Sequence, residues 1–471
     1  METSNNENFN DSRQLGFWEK NAVIVKLSMI GFLSLLLLVP SAMIQNLISE
    51  RTQTRDEAVK DIYAKWGKEQ TVAGLILNVP YRVVMKDRDG KEEVSLAFLH
   101  FLPEQLAISG KIVPTIRYRG IYKAILYNAR LKFGGRFSQP DVKGLKVNPE
   151  SILWEDAFLT LGISDLRGIK DVIKLTINGK TYGVNPGVEN GGVFHSGVTI
   201  PFAIDQSMVV NAFNFNFDMD LNGSKKISFW PLGTETKVVI NSNWNSPSFS
   251  GAFLPEKRDI TENGFNAEWK VLELNRNFPQ KWVGDQYGFE DASEKNVVLE
   301  DSSRKINTAT DFTFGVNLIM PVDFYQKVSR SAKYAIMFIA LTFTAFFFIE
   351  IVNKKRIHPI QYILVGMALV IFYSLLLSLT EQIPFNFAYM ISSGVTIALI
   401  SWYSYTILKS LGLMMLMGII LSGLYVFLFV LLQLQDYALL MGSIGLFVIL
   451  SLIMLVSRQI DWYNIKQLNL G

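Results

Sequence analysis

Side chains able to carry chemistry are few in this chain and stand far apart. The three histidines, His100, His195 and His358, are too widely spaced for a multi-histidine metal site. With no cysteine, thiolate nucleophiles, iron–sulfur clusters, thiolate zinc sites and disulfides are excluded by inventory. His195-Ser196 in GGVFHSGV places a base beside a hydroxyl in a glycine-rich loop, with no acid partner assignable from sequence. Gly179-Lys180-Thr181 matches the end of a phosphate-binding loop, but Lys174 stands where that loop's first glycine belongs. No nucleophile elbow, zinc-binding H-E-x-x-H helix or dinucleotide G-x-G-x-x-G turn occurs. The expectation is a protein that is not an enzyme, with no cofactor and no metal.

Four residues remain as functional candidates. Trp244 lies in SNWNSPSFSGAFLP (242–255), where aromatic rings beside amides would stack on and hydrogen-bond a ligand, or would cap a β core. Glu381, Asp436 and His358 fall within a very apolar region, where ionisable groups are costly and mark function by default. Glu381 and Asp436 sit beside expected helix starts, where a carboxylate meets the positive end of the helix dipole; as a pair they would form a cation or proton mouth. His358-Pro359 opens a helix, with proline where its missing donor costs little. Glu350 stands four residues before Lys354 and is expected to pair with it.

The elements that position these residues follow from how apolar the chain is. Across 471 residues, 49% are hydrophobic, 13% aromatic and only 18% charged. Soluble domains carry roughly 25% charged residues, so a large part of this chain is solvated by lipid. The balance of 45 Lys+Arg against 42 Asp+Glu is too even for a nucleic-acid partner. Residues 331–457 contain eight charged side chains, separated by apolar runs near 334–352, 361–379, 387–406, 411–432 and 437–456. Each run matches the ~20 residues a helix needs to cross the hydrocarbon. A sixth run, 23–44, follows a polar tail of residues 1–22; its length and the lack of a small-residue cleavage site favour a retained anchor over a removed leader.

Six crossings put both termini on one side of the bilayer and residues 45–330 on the other. Lys354, Lys355, Arg356, Lys409, Arg458 and Lys466 all fall on the side of the termini, which is therefore expected to be cytoplasmic. The middle domain is expected on the opposite side, the exterior or periplasm. It opens with a helical stalk, Glu50 to Trp66, stopped by Gly67, whose charges make a solvated face or a recruitment surface. Beyond Thr71 the period becomes two: FNFNFDMDL alternates strictly, and Asp89-Gly90, Asn178-Gly179 and Asn222-Gly223 are hairpin signals. A short helix is expected within Trp154–Ile169. The fold class expected is a membrane α-helical bundle (331–457, with the tail 458–471 beyond it) plus a mainly β periplasmic domain of antiparallel, sandwich-like sheets.

Three stretches carry a family likeness. Residues 41–81 run through QNLISERTQTRDEAVKDIYAKWGKEQTVAGLILNVPY; the second is SNWNSPSFSGAFLP. The third is RIHPIQYILVGMALVIFYSLLLSLTEQIPFNFAYMI, followed by DYALLMGSIGLFVILSLIMLVSRQIDWY. Over about residues 23–463 the chain resembles the CreD family of bacterial inner-membrane proteins. The resemblance implies a bacterial inner-membrane protein tied to cell-envelope integrity and stress response, without established catalytic or cofactor residues. The partners expected are the lipid bilayer and envelope proteins or a periplasmic ligand. A transporter or flippase of an envelope component, working through Glu381 and Asp436, is the competing reading, and an envelope hydrolase a third.

Overall fold

A computed structural model describes residues 22–86, 92–189, 193–204, 211–289, 307–308, 312–320, 324–434, 437–458 and 460. The chain forms two compact units, Met1–Arg55 with Val322–Gly471, and Asp56–Pro321. The second half of the first unit opens with a short helix, Phe324–Lys333, not foreseen in the sequence.

That unit is helical. Its helices are α1 (Ala22–Leu36), the first part of α2 (Leu38–Trp66), α3 (Phe324–Lys333), α4 (Ala335–Val352), α5 (Pro359–Thr380), α6 (Phe385–Leu408), α7 (Leu411–Gln433) and α8 (Ala438–Arg458). Six helices among the described residues are long and apolar enough to cross a membrane: the rod from Ile24 through α2, then α4 to α8. The rod breaks at Leu37 because Pro40 has no N–H for the Leu36 carbonyl; the ladder resumes with Ser41 N–H donating to Leu37 O at 3.2 Å. Rings line much of the inner faces. Phe372 packs edge-on against Tyr389 and Tyr425, at 5.7 and 4.7 Å, and the Tyr389 hydroxyl donates to Tyr425 O at 2.6 Å. Gly366 lets the break between α1 and α2 approach α5, since a Cβ there would run into the Leu37 side chain.

The second unit is built on two mixed sheets over one core. The first sheet has nine strands, in the order Pro247–Gly251, Phe314–Leu318, Lys226–Phe229, Gln70–Lys86, Phe158–Ile163, Gly197–Pro201 and Asn185–Pro186. Glu92–Phe101 pairs with the outer half of Gln70–Lys86, and Lys281–Val283 pairs with Glu92–Phe101. The second sheet has eight, from Lys257–Thr261 through Gly264–Leu272, Glu235–Ser242, Gln105–Arg119, Tyr122–Phe137 and Phe213–Ser224 to Leu175–Ile177 and Lys180–Tyr182. The sheets meet closely: a Cβ on Gly74 of the first would lie 2.7 Å from Leu106 Cδ2 of the second. Phe213, Phe215, Phe217, Met219 and Leu221 all point into the core between them, as their alternation requires.

Local expectations meet two corrections. Antiparallel pairing dominates, but each sheet holds one parallel pair, Gln70–Lys86 with Lys226–Phe229 and Glu235–Ser242 with Gln105–Arg119. Asn178-Gly179 does turn a hairpin, both residues at positive φ (46° and 84°). Asn222-Gly223 does not: both residues pair straight through with Asn128 and Tyr127. Glycine is needed there because a Cβ would fall 2.3 Å from the Tyr127 hydroxyl; the chain turns instead at Lys225 (φ 60°) and crosses to the other sheet. Trp154–Ile169 holds a buried strand, Phe158–Ile163, between two single-turn 3-10 helices rather than an α-helix. Asp89-Gly90 and Asp436 lie outside the described residues.

A histidine sits in the middle of the first sheet. His100 is fully buried, its Nδ1 2.7 Å from Asn78 Oδ1, and its ring stacks on Trp282 at 5.0 Å. Asn78 Nδ2 donates to Thr160 Oγ1 at 2.8 Å, so Asn78 Oδ1 receives the imidazole N–H. Burial pushes the His100 pKa down to about 3. The unfolded chain takes up this proton below about pH 6.5 and the folded protein does not, so the contribution to stability is full above that pH and declines as pH falls toward 3. Wild type is expected to lose about 1.4 kcal/mol per pH unit between pH ~6 and ~4 relative to His100→Gln. Denaturant unfolding of the detergent-solubilised full chain checks this.

Candidate functional site

The second unit contains a cleft of about 620 Å³. One wall is the last turns of α2, with Lys60, Tyr63 and Ala64; another is the start of Gln70–Lys86 with the preceding Lys68 and Glu69. Gly162 to Asp165 and the loop Phe194–Ser196 close the sides, and Trp230 and Phe289 form the floor with Phe194. The floor rings meet at 5.5 Å (Phe194–Phe289) and 5.0 Å (Trp230–Phe289). A Cβ on Gly162 would run into the Phe194 ring at 2.6 Å, so glycine at that position is what admits the ring.

The wall is held by a polar lattice. Ser164 Oγ accepts the Thr71 N–H at 2.9 Å and donates to Glu69 O at 3.1 Å. Gln70, fully buried, donates to Asp165 O and Asn222 O, both at 3.1 Å. Asp165 caps its own 3-10 turn: Oδ1 accepts Arg167 N–H and Nε–H, while Oδ2 accepts Arg167 Nη2–H and the Lys68 N–H at 3.0 Å. Burial alone would raise the Asp165 pKa; the hydrogen bonds from Arg167 and Lys68 outweigh it and hold the carboxyl below its ordinary range. Arg167 also donates to Ala64 O at 2.8 Å, and Trp66 Nε1 donates to Tyr127 O at 3.3 Å, so the end of α2 is bound to the sheets from two sides. The Asp61–Arg119 ion pair adds a third contact.

His195 and Ser196 do line the cleft, and the fold brings Asp165 to the same cavity. Both oxygens of that carboxylate are already occupied by Arg167 and Lys68, so it is not available to orient an imidazole. No cluster able to hold a metal ion is found among the described residues.

The candidates read from sequence are scattered rather than gathered. Trp244 donates from Nε1 to Ser246 O at 3.2 Å and Ile319 O at 3.1 Å, half-buried against the β core. Its neighbours Phe249 and Phe253 pack edge-on against Trp269 (5.6 Å) and Phe314 (6.0 Å). What reads as a loop in the sequence contains the strand Pro247–Gly251. His358 caps α5: Nδ1 accepts the Ile360 N–H at 3.3 Å, and the His358 N–H donates to Gln361 Oε1 at 2.9 Å. Glu381 follows the C-terminus of α5 rather than beginning a helix; Oε1 accepts the Tyr325 hydroxyl at 3.2 Å.

The sequence reading missed one polar centre in the helical unit. Glu350 is buried and does not pair with Lys354, which has left the helix at φ 52°. Its Oε1 instead binds the Lys26 ammonium of α1 and the Ile357 N–H (2.9 Å), and its Oε2 accepts the Tyr362 hydroxyl of α5 at 3.0 Å. Three donors from separate segments satisfy one carboxylate, the condition for keeping a charge out of water. The only sequence signal was a lysine inside an otherwise apolar span. Lys26→Met strands the carboxylate and is expected to cost about 3 kcal/mol, while Lys26→Met/Glu350→Gln recovers most of it. Thermal unfolding in detergent of both variants checks the order.

A family model described as "Inner membrane protein CreD" matches residues 22–463. The chain is also similar to the Inner membrane protein CreD of Escherichia coli (strain K12). The two are 34% identical over 435 residues, which cover 91% of this chain and 91% of that protein.

Proposed function

The chain belongs to the CreD family of inner membrane proteins, and from that premise we propose that it supports cell-envelope integrity without catalysing a reaction. It works through the β domain, held in the periplasm by a multi-pass membrane body whose two termini are cytoplasmic. The observation that carries this reading is the placement of the β unit between the first membrane-length helix and the other five. A domain inserted there is tied to the bilayer at both of its ends, which suits a protein that acts by contact across the membrane surface.

The competing readings draw less support. Transport through Glu381 needs that carboxylate at an open mouth, and its Oε1 is engaged by the buried Tyr325. Hydrolysis through a His195–Asp165 pair is disfavoured because Arg167 and Lys68 hold both Asp165 oxygens. The bilayer and an envelope component in the periplasm remain the partners that this reading requires.

Deleting the gene is expected to sensitise cells to detergent, β-lactam or osmotic challenge. The full chain restores resistance, whereas a chain with residues 68–320 replaced by a short linker reaches the membrane and does not. A deletion strain indistinguishable from its parent, or rescue by the shortened chain, contradicts the proposal.

A further inference from the structure

We infer that the cleft in the β unit binds an anionic amphiphile: a carboxylate or phosphate head on an aromatic or aliphatic body. This goes beyond the envelope role and stands without it, resting only on the cavity. Its volume of about 620 Å³ lies within the ~300–1,000 Å³ of pockets that enclose drug-sized molecules.

Three features select the ligand. The floor of Phe194, Trp230 and Phe289 is buried and apolar, a surface for rings or methylenes. The rim carries Lys60 and Lys68, both exposed, and neither ammonium is in an ion pair among the described residues. Two carboxylates share the wall, but each is engaged by a cation that does not line the cavity: Glu69 by Lys225 at 3.5 Å, and Asp165 by Arg167 at 2.9 Å. The charge left for a ligand at the rim is therefore positive, and lysine meets a carboxylate or phosphate as a mobile point charge.

The third feature is Ser224. It lines the cleft at 0% exposure, and its Oγ has no hydrogen-bond partner among the described residues. A buried hydroxyl without a partner is destabilising, and a ligand oxygen in the cleft would satisfy it. Apolar floor, cationic rim and an unsatisfied hydroxyl together describe an acid with a greasy body. A neutral sugar would leave the lysines unused, and a cation would be repelled.

The test uses the full chain in phosphatidylcholine nanodiscs and two photoreactive probes, the trifluoromethyl-diazirine derivative of benzoic acid and the matching benzyl alcohol. After irradiation and peptide mapping, the acid is expected to label cleft residues about fivefold or more over the alcohol. Lys60→Gln/Lys68→Gln brings the acid down to the level of the alcohol, and Lys60→Arg/Lys68→Arg keeps the preference. Ser224→Ala, which removes an unsatisfied group and leaves the fold intact, lowers labelling about threefold. Competition by lysophosphatidylglycerol assigns a lipid source and competition by phenyl phosphate a soluble one; competition by neither overturns the inference. Equal labelling by acid and alcohol, or acid labelling that survives loss of both lysines, also overturns it.

Discussion

Hydrocarbon cannot hydrogen-bond to a polypeptide, and much of this chain is shaped by that fact. Every backbone amide in a span must find its partner within the protein, which makes the apolar third of the sequence helical whatever its local propensities. The same constraint governs the exceptions. Glu350 is kept only because Lys26, the Ile357 N–H and the Tyr362 hydroxyl converge on it. Helix ends are treated alike: His358 and Gln361 close the start of α5, and Arg330 donates to Leu431 O and Leu434 O at the end of α7. Serine and threonine hydroxyls within the spans turn back to carbonyls of their own helices, as Ser404 does to Ile400 O at 2.7 Å.

The β unit answers to water, and it gains its stability in the ordinary way. Two sheets enclose a core dominated by large rings, among them Trp269, Phe213, Phe229 and Phe314, all essentially inaccessible to solvent. Each fully buried side chain of this kind contributes about 2–3 kcal/mol relative to exposure. A core of that size removes any need for disulfides. Polar groups inside it are paired where they set geometry, as with Gln70 beneath the cleft and Asn78 beside His100. Ser224 is a departure from that rule, and it lies at the cavity.

What was legible in the sequence was local. A span of about 20 apolar residues is a one-dimensional signal, so all six membrane-length helices were readable, as were the alternation of residues 213–221 and the Asn178-Gly179 turn. Features made by distant residues were not. Lys26 and Glu350 are 324 positions apart, and no periodicity joins them. The cleft gathers residues from Lys60 to Phe289. The two parallel pairings join segments that strand propensity describes equally well in either direction. Asn222-Gly223 misled because its glycine serves close packing against Tyr127 rather than a turn. His195-Ser196 was legible as a pair, but the engagement of Asp165 by Arg167 was not.

We propose that six helices cross the bilayer and leave the β unit on the side opposite the termini. A chain without cysteine allows this to be measured directly, since single introduced thiols have no background. Lys257→Cys in the β unit and Lys409→Cys between α6 and α7 are both exposed positions. With a membrane-impermeant maleimide on spheroplasts, Lys257→Cys is expected to label at once and Lys409→Cys only after lysis. Labelling of Lys409→Cys in sealed spheroplasts, with Lys257→Cys protected until they are broken, would contradict the account.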